Sequence, residues 1–168
     1  MSQVSYVLGQ KAKLYFYNKS GGQVNTPGPL PNPLPNPMVP ADWAEIGNTK
    51  DVTLNLEKGE ADVTTRQANG WRAKVGTLKD GSIEFEMVWD SGNTAFNAIK
   101  SAYFNDTALG IQCLDGANSL AASQGLQGDF SVTNFTRNEP LEEVLTVKVT
   151  LKPTYSANAP QWINGVGA

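Results

Sequence analysis

The side chains here that could do acid–base chemistry are carboxylates. Glu84 and Glu86 stand two apart, which places them on one face of a strand, and Glu142 and Glu143 are adjacent. A facing carboxylate pair suits glycoside hydrolysis, one group acting as acid and the other as nucleophile or base. A solvated strand face accounts for Glu84 and Glu86 equally well, with Lys74 as the cross-strand partner expected for Glu86. Glu142 and Glu143 fit a turn after Pro140. Other catalytic classes lack their residues. The sequence has no histidine, so a serine or cysteine nucleophile has no ordinary base, and a histidine metal site is excluded. Its one cysteine, Cys113, builds neither a disulfide framework nor a zinc site. In the alternation Leu109, Ile111, Cys113 it reads as a buried thiol. Gly21-Gly22 lacks the Lys-Ser/Thr of a phosphate loop, and Asp-x-Asp calcium-loop spacing is absent. No catalytic, cofactor-binding or metal-binding residue is expected, and the chain reads as non-enzymatic.

Composition narrows the classes further. The 168 residues are 40% hydrophobic and 17% charged, with a net charge of −3. That balance fits a single domain over residues 1–168 with a sizeable core. It lacks the basic excess of a protein that grips nucleic acid through phosphates. Met1-Ser2-Gln3-Val4-Ser5 has neither the cationic nor the apolar region of a signal peptide. No apolar run approaches the roughly 18 residues of a membrane helix. The expectation is a protein made in the cytoplasm with no membrane partner.

The elements that must position these residues are mostly strands. Lys11–Tyr17 reads as a first strand, Trp43–Gly47 as a short one, and Val52, Leu54 and Leu56 alternate with polar residues. Lys58-Gly59 and Asn69-Gly70 carry turn chemistry, with Glu60–Arg66 pairing back between them. Residues 71–89 read as a hairpin around Lys79-Asp80-Gly81. A three-residue loop there sets Trp71 opposite Trp89 on a buried face and Lys74 opposite Glu86 on the other. One helix is expected over about residues 93–105, capped by Asn93 or Ser91, with Phe96, Ile99, Tyr103 and Phe104 as its apolar stripe. Strands near 108–113, 128–137 and 144–152 follow. The fold class is mainly β: a β-sandwich or barrel with one flanking α-helix.

Two segments stand outside that frame. In residues 20–41 prolines occupy every second position from Pro27 to Pro37, and Leu-Pro-Asn-Pro occurs twice. In an extended chain this strips one edge of donors and leaves the N–H groups of Gly28, Leu30, Asn32, Leu34 and Asn36 on the other. A one-sided arm is expected, docking on a neighbouring copy through Leu30 and Leu34; a stiff surface loop is the plain alternative. Residues 153–168 read as a C-terminal tail in which Trp162 and Ile163 want burial, either on their own domain or as an anchor on a neighbour. The four tryptophans could otherwise form a sugar-stacking platform, though the hairpin register assigns Trp71 and Trp89 to the core.

The stretch from residue 43 to 152 resembles the major tail tube proteins of long-tailed bacteriophages. The resemblance is carried by Glu45–Leu54, Thr64–Trp71, Gly76–Met87, the helix with Phe96-Asn97-Ala98-Ile99, Gly128-Asp129-Phe130 and Glu142–Leu151, in that order. It implies a β-sandwich with a flanking helix, six copies per ring, and rings stacked into a hollow tube that conducts DNA. The implied partners are further copies of the chain, a tape-measure protein, tail-terminator and baseplate proteins, and DNA in transit without sequence-specific binding. The implied location is the virion tail. A non-basic wall suits DNA passage, so Glu57, Glu60, Glu84 and Glu86 are the expected channel-facing residues. The alternatives are a tube or ring element of a related contractile or secretion machine, a tail terminator, and a monomeric carbohydrate- or surface-binding module.

Overall fold

Alternating apolar side chains build the strands that carry the core. Ile83, Phe85 and Met87 on one strand meet Leu151, Val149 and Val147 on its neighbour, all buried. A computed structural model of the chain describes residues 8–19, 26–34 and 39–164. Its strands are β1 (Lys13–Lys19), β2 (Thr26–Pro27), β3 (Trp43–Glu45), β4 (Thr49–Asp62), β5 (Lys74–Val88), β6 (Leu109–Leu114), β7 (Gln124–Asn138), β8 (Thr146–Pro153) and β9 (Gln161–Asn164). The one α-helix among the described residues, α1, spans Thr94–Phe104.

The strands form one antiparallel sheet in the order β2-β1-β6-β7-β8-β5-β4, with β3 also on β1 and β9 also on β7. β7 joins two halves. Its first part pairs with β6 and β9, and from Phe130 on it pairs with β8, with a register shift between Val132 and Asn134. Such an irregularity bends a long strand. Both halves then feed one core: Leu14, Phe16 and Ile111 from the first, Phe85, Met87 and Val149 from the second, with Phe96 and Ile99 of the helix. Mainly β with one flanking helix is therefore the observed class.

The helix begins where its cap residue dictates. The Asn93 side chain accepts a hydrogen bond from the Phe96 N–H at 3.0 Å. Phe96 and Ile99 are fully buried, while Tyr103 stacks on Phe135 at 5.9 Å between ring centroids. Phe104, expected in the apolar stripe, is 71% exposed. It is the last residue of the helix.

The expected hairpin at Lys79-Asp80-Gly81 does not form. β5 runs unbroken through those residues, and β4 likewise runs through Lys58-Gly59. The turn lies at residues 63–73, where Asn69 and Gly70 have φ of 51° and 82°. Gly81 serves a different need. It faces Leu56 across the ladder, and a methyl there would stand 3.1 Å from Leu56 Cδ2 and from the Asn55 carbonyl. Trp71 consequently sits in the exposed turn, 80% accessible, and not opposite Trp89. Trp89 packs on Phe96 at 4.7 Å. The C-terminal tail also differs from expectation, because residues 161–164 form strand β9.

Candidate functional site

The half of the sheet made by β4, β5, β8 and the end of β7 has one face in the core and one in solvent. Register puts the sequence-predicted acids on the solvent face in rows. Glu86 lies between Lys50 on β4 and Lys148 on β8, and Glu84 between Thr53 and Thr150. Glu57 shares this face two rows beyond Glu84, directly opposite Asp80. Lys152 borders the same patch. Glu60 does not belong to it, because strand alternation turns it to the opposite face. There it takes Lys74 in a 2.6 Å ion pair, the lysine expected for Glu86. Glu84 and Glu86 are neither paired as acid and base nor set in an enclosed cleft. Among the described residues no cluster of three metal-ligating side chains occurs, and no helix is long and apolar enough to cross a membrane.

This half of the sheet has two open edges. β4 is the last strand of the sheet path, with β5 on one side and no described strand on the other. At the far side, β7 beyond Phe130 pairs with β8 alone, since β6 stops at that residue. Exposed edges present unpaired N–H and C=O groups that template further pairing.

The β4–β5 pair also extends well past β8. β8 covers β5 only over residues 83–88, so residues 74–82 of β5 carry β4 on one side alone. Beyond the end of β8, strand β9 takes the same edge of β7. Between this overhang and β9 lies a groove of about 460 Å³ lined by Leu56, Gly81, Leu126, Pro153, Pro160 and Trp162, with Lys58 and Lys79 at its side; Glu57 and Asp80 also border it, although strand alternation assigns their side chains to the opposite face of the ladder. Lys58 and Lys79 stand directly opposite each other, one step along the ladder from Glu57 and Asp80. Like charges directly opposite are unfavourable in an isolated sheet.

The proline segment docks on its own sheet over the described residues 26–34. Gly28 N–H donates to the Tyr17 carbonyl at 3.3 Å, and Leu30 N–H to the buried Asp129 carboxylate at 2.7 Å. These are two of the donors that the proline spacing preserves. Ser156 Oγ–H donates to the other carboxylate oxygen, and Asn158 Nδ2–H to the Pro31 carbonyl at 3.1 Å. Leu30 is buried in a second cluster with Tyr15, Tyr17, Trp43 and Leu114, and Leu34 packs against it. The expectation that Leu30 and Leu34 contact a neighbour is thus corrected for Leu30, whose side chain is enclosed by its own subunit. The repeat's later residues, 35–38, lie outside the described residues. Ile163 packs on the same cluster, whereas Trp162 is half-exposed and donates through Nε1 to Gln124 Oε1 at 3.2 Å.

Cys113 is partly buried against the core, and loss of hydration raises its thiol to about 11. Sequence reasoning missed the opposed pairs Glu57–Asp80 and Lys58–Lys79, since both need the β4–β5 register. It also passed over Leu141 and Val144, which flank Glu142 and Glu143 and are 99% and 60% exposed. Two apolar side chains around a carboxylate pair in a loop are visible without a structure.

A family model described as phage tail tube protein matches residues 35–154. A search of the curated proteins gives no match. Among solved structures, the tail of an empty gene transfer agent particle with C6 symmetry is 16% identical, with a TM-score of 0.59, covering 73% of this chain and 87% of that one. A protein of the native gene transfer agent virion is 12% identical, TM-score 0.62, covering 92% and 98%. The tail tube of phage SPP1 is 15% identical, TM-score 0.59, covering 95% and 80%. At these identities the structural likeness carries the fold.

Proposed function

The chain belongs to the phage tail tube protein family, and from that premise we propose that it assembles into six-membered rings that stack as the tail tube and form a channel for DNA. Family membership makes it a structural protein of the tail and not an enzyme. The observation that carries the ring reading is the pair of open edges on one sheet half. The β4 edge and the β7 edge beyond Phe130 are different surfaces on opposite sides of the same subunit. Pairing one with the other on the next copy is a heterologous contact, the type that closes into a ring when the rotation fits. A ring number of six rests on the family resemblance and on the six-fold symmetry of the similar gene transfer agent tail.

In such a ring the solvent face of β4, β5, β8 and β7 turns to the channel. Glu57, Glu84 and Glu86 lie on that face with Asp80 against Lys50, Lys148 and Lys152. A mixed wall of this kind does not hold phosphates, so DNA slides past it. The tape-measure, tail-terminator and baseplate proteins are the further partners this role requires, and the virion tail is its location. Of the four residues expected to make self-assembly contacts, Trp162 is the one left half-exposed by its own subunit.

Negative-stain microscopy of the purified protein tests the reading. Tubes or rings with a central hole are expected. A uniform monomer at high concentration overturns it.

A further inference from the structure

Two surfaces of this chain lie unused at opposite ends of the sheet. One is the β7–β8 loop, where Leu141 and Val144 are exposed beside Glu142 and Glu143. Neither glutamate takes part in an ion pair among the described residues, although the preceding Glu139 is held by Arg137 at 2.6 Å. The other is the groove between the β4–β5 overhang and β9. Its floor is apolar, with Leu56 55% exposed and Trp162 52% exposed, and its side carries the opposed Lys58 and Lys79. Neither lysine has an ion-pair partner within the described residues. Of the nearby acids, Glu57 and Asp80 border the groove but belong by alternation to the opposite face of the ladder, Glu60 holds Lys74, and Asp62 accepts from the Thr64 N–H at 2.8 Å.

The two surfaces match in kind. One offers two apolar side chains around two negative charges, and the other an apolar trough beside two positive charges. A like-charged pair that weakens an isolated strand pair is accounted for when a partner brings the opposite sign. They cannot meet within one copy. β5 runs from Lys79 beside the groove to Val88 at the loop end, and at about 3.3 Å per residue that separation is about 30 Å. Opposite ends of the strand direction with complementary surfaces are what a head-to-tail stack requires.

We propose that the Leu141–Val144 loop of one copy seats in the Trp162 groove of a copy in the next ring, with Glu142 and Glu143 against Lys58 and Lys79. The proposal rests on the stacked-ring reading above and names the contact that stacks the rings. Leu141 and Val144 bury against Leu56 and Trp162, and the charges set which end of the subunit faces which. Rings that close through the strand edges do not need this contact, so it controls length and not ring formation.

Charge reversal tests it in the full chain. E142K/E143K is expected to give rings without tubes by negative-stain microscopy, and K58E/K79E the same. The variant carrying all four changes is expected to regain tubes. Long tubes from E142K/E143K, or no recovery in the combined variant, overturn the contact. A second measurement does not depend on folding of the charge variants. In L141C/L56C tubes, oxidation is expected to give a disulfide ladder extending past the ring number on a denaturing gel. An unlinked monomer band, or a ladder that stops at the ring number, overturns the inter-ring arrangement. Wild-type protein that forms no tubes sinks the stacked-ring reading itself, which separates the two failures.

Discussion

Gly110 leaves the space that Leu30 fills. A methyl at position 110 would stand 2.8 Å from Leu30 Cδ2 and 2.9 Å from Tyr17 Cβ, and the Gly110 N–H donates to the Gly28 carbonyl at 2.9 Å. The proline segment is therefore part of the packed structure, fastened by one buried leucine and by Asp129. Leu30→Ala is expected to cost about 2–5 kcal/mol, as for other buried leucine truncations. Gly110→Ala is expected to destabilise as well, because Tyr17 Cβ is fixed to its backbone. Urea unfolding measures both. An unchanged midpoint for Leu30→Ala would mean that the segment is not anchored through this side chain.

Exposed residues on the β4–β5 overhang should behave in the opposite way. The Lys74–Glu60 pair is more than half exposed at both side chains, and such pairs contribute about 0–1 kcal/mol. Trp71 is more exposed still. Lys74→Ala and Trp71→Ala are expected to leave the urea midpoint of unassembled protein nearly unchanged. A loss of several kcal/mol for Trp71→Ala would place it in a core after all.

The overhang is hard to read from sequence for a physical reason. Lys79-Asp80-Gly81 has good turn chemistry, and a glycine suits an αL turn position. It equally suits a strand position facing a bulky neighbour, which is how Gly81 faces Leu56. Local residues do not separate those two uses; only the identity of the opposing strand does. Features set within a few residues were legible: the Asn93 cap, the Asn69-Gly70 turn, the shared face of Glu84 and Glu86. The preserved donors of the proline strip were legible as well. Their partners, Tyr17 and Asp129, were not, since Asp129 lies on a strand distant in sequence. The groove and its lysines escaped for the same reason, being built from β4, β5, β7 and β9 together.

Glycines within the sheet give a sharper stability contrast. A methyl at Gly125 would stand 1.8 Å from the Cys113 carbonyl oxygen and 2.9 Å from Leu114 Cα, all backbone on the paired strand β6. Nothing there can rotate away, so the strands must part. Gly125→Ala is expected to abolish soluble folded protein or to lower the melting temperature severely. Gly47→Ala meets nothing within 4 Å and is the matched control, expected to be nearly neutral. Equal melting temperatures for the two variants would contradict the close packing of β6 on β7.

Cys113 offers a pH test of the core. Burial disfavours the thiolate and raises the thiol from 9.0 to about 11. The folded chain therefore keeps a proton that the unfolded chain releases first. Its contribution to stability is full below pH 9 and is lost as pH rises through about 11. Tyr17 is also raised, chiefly by burial and then by the charge of Asp42. Cys113→Ala isolates the thiol: wild-type stability is expected to fall more steeply than that of the variant between pH 9 and 11 in urea titrations. At pH 8 iodoacetamide should label Cys113 far more slowly in folded protein than in urea, because the thiolate is the reactive form. Equal labelling rates in the two states would place the thiol in solvent and remove the basis for the pH dependence.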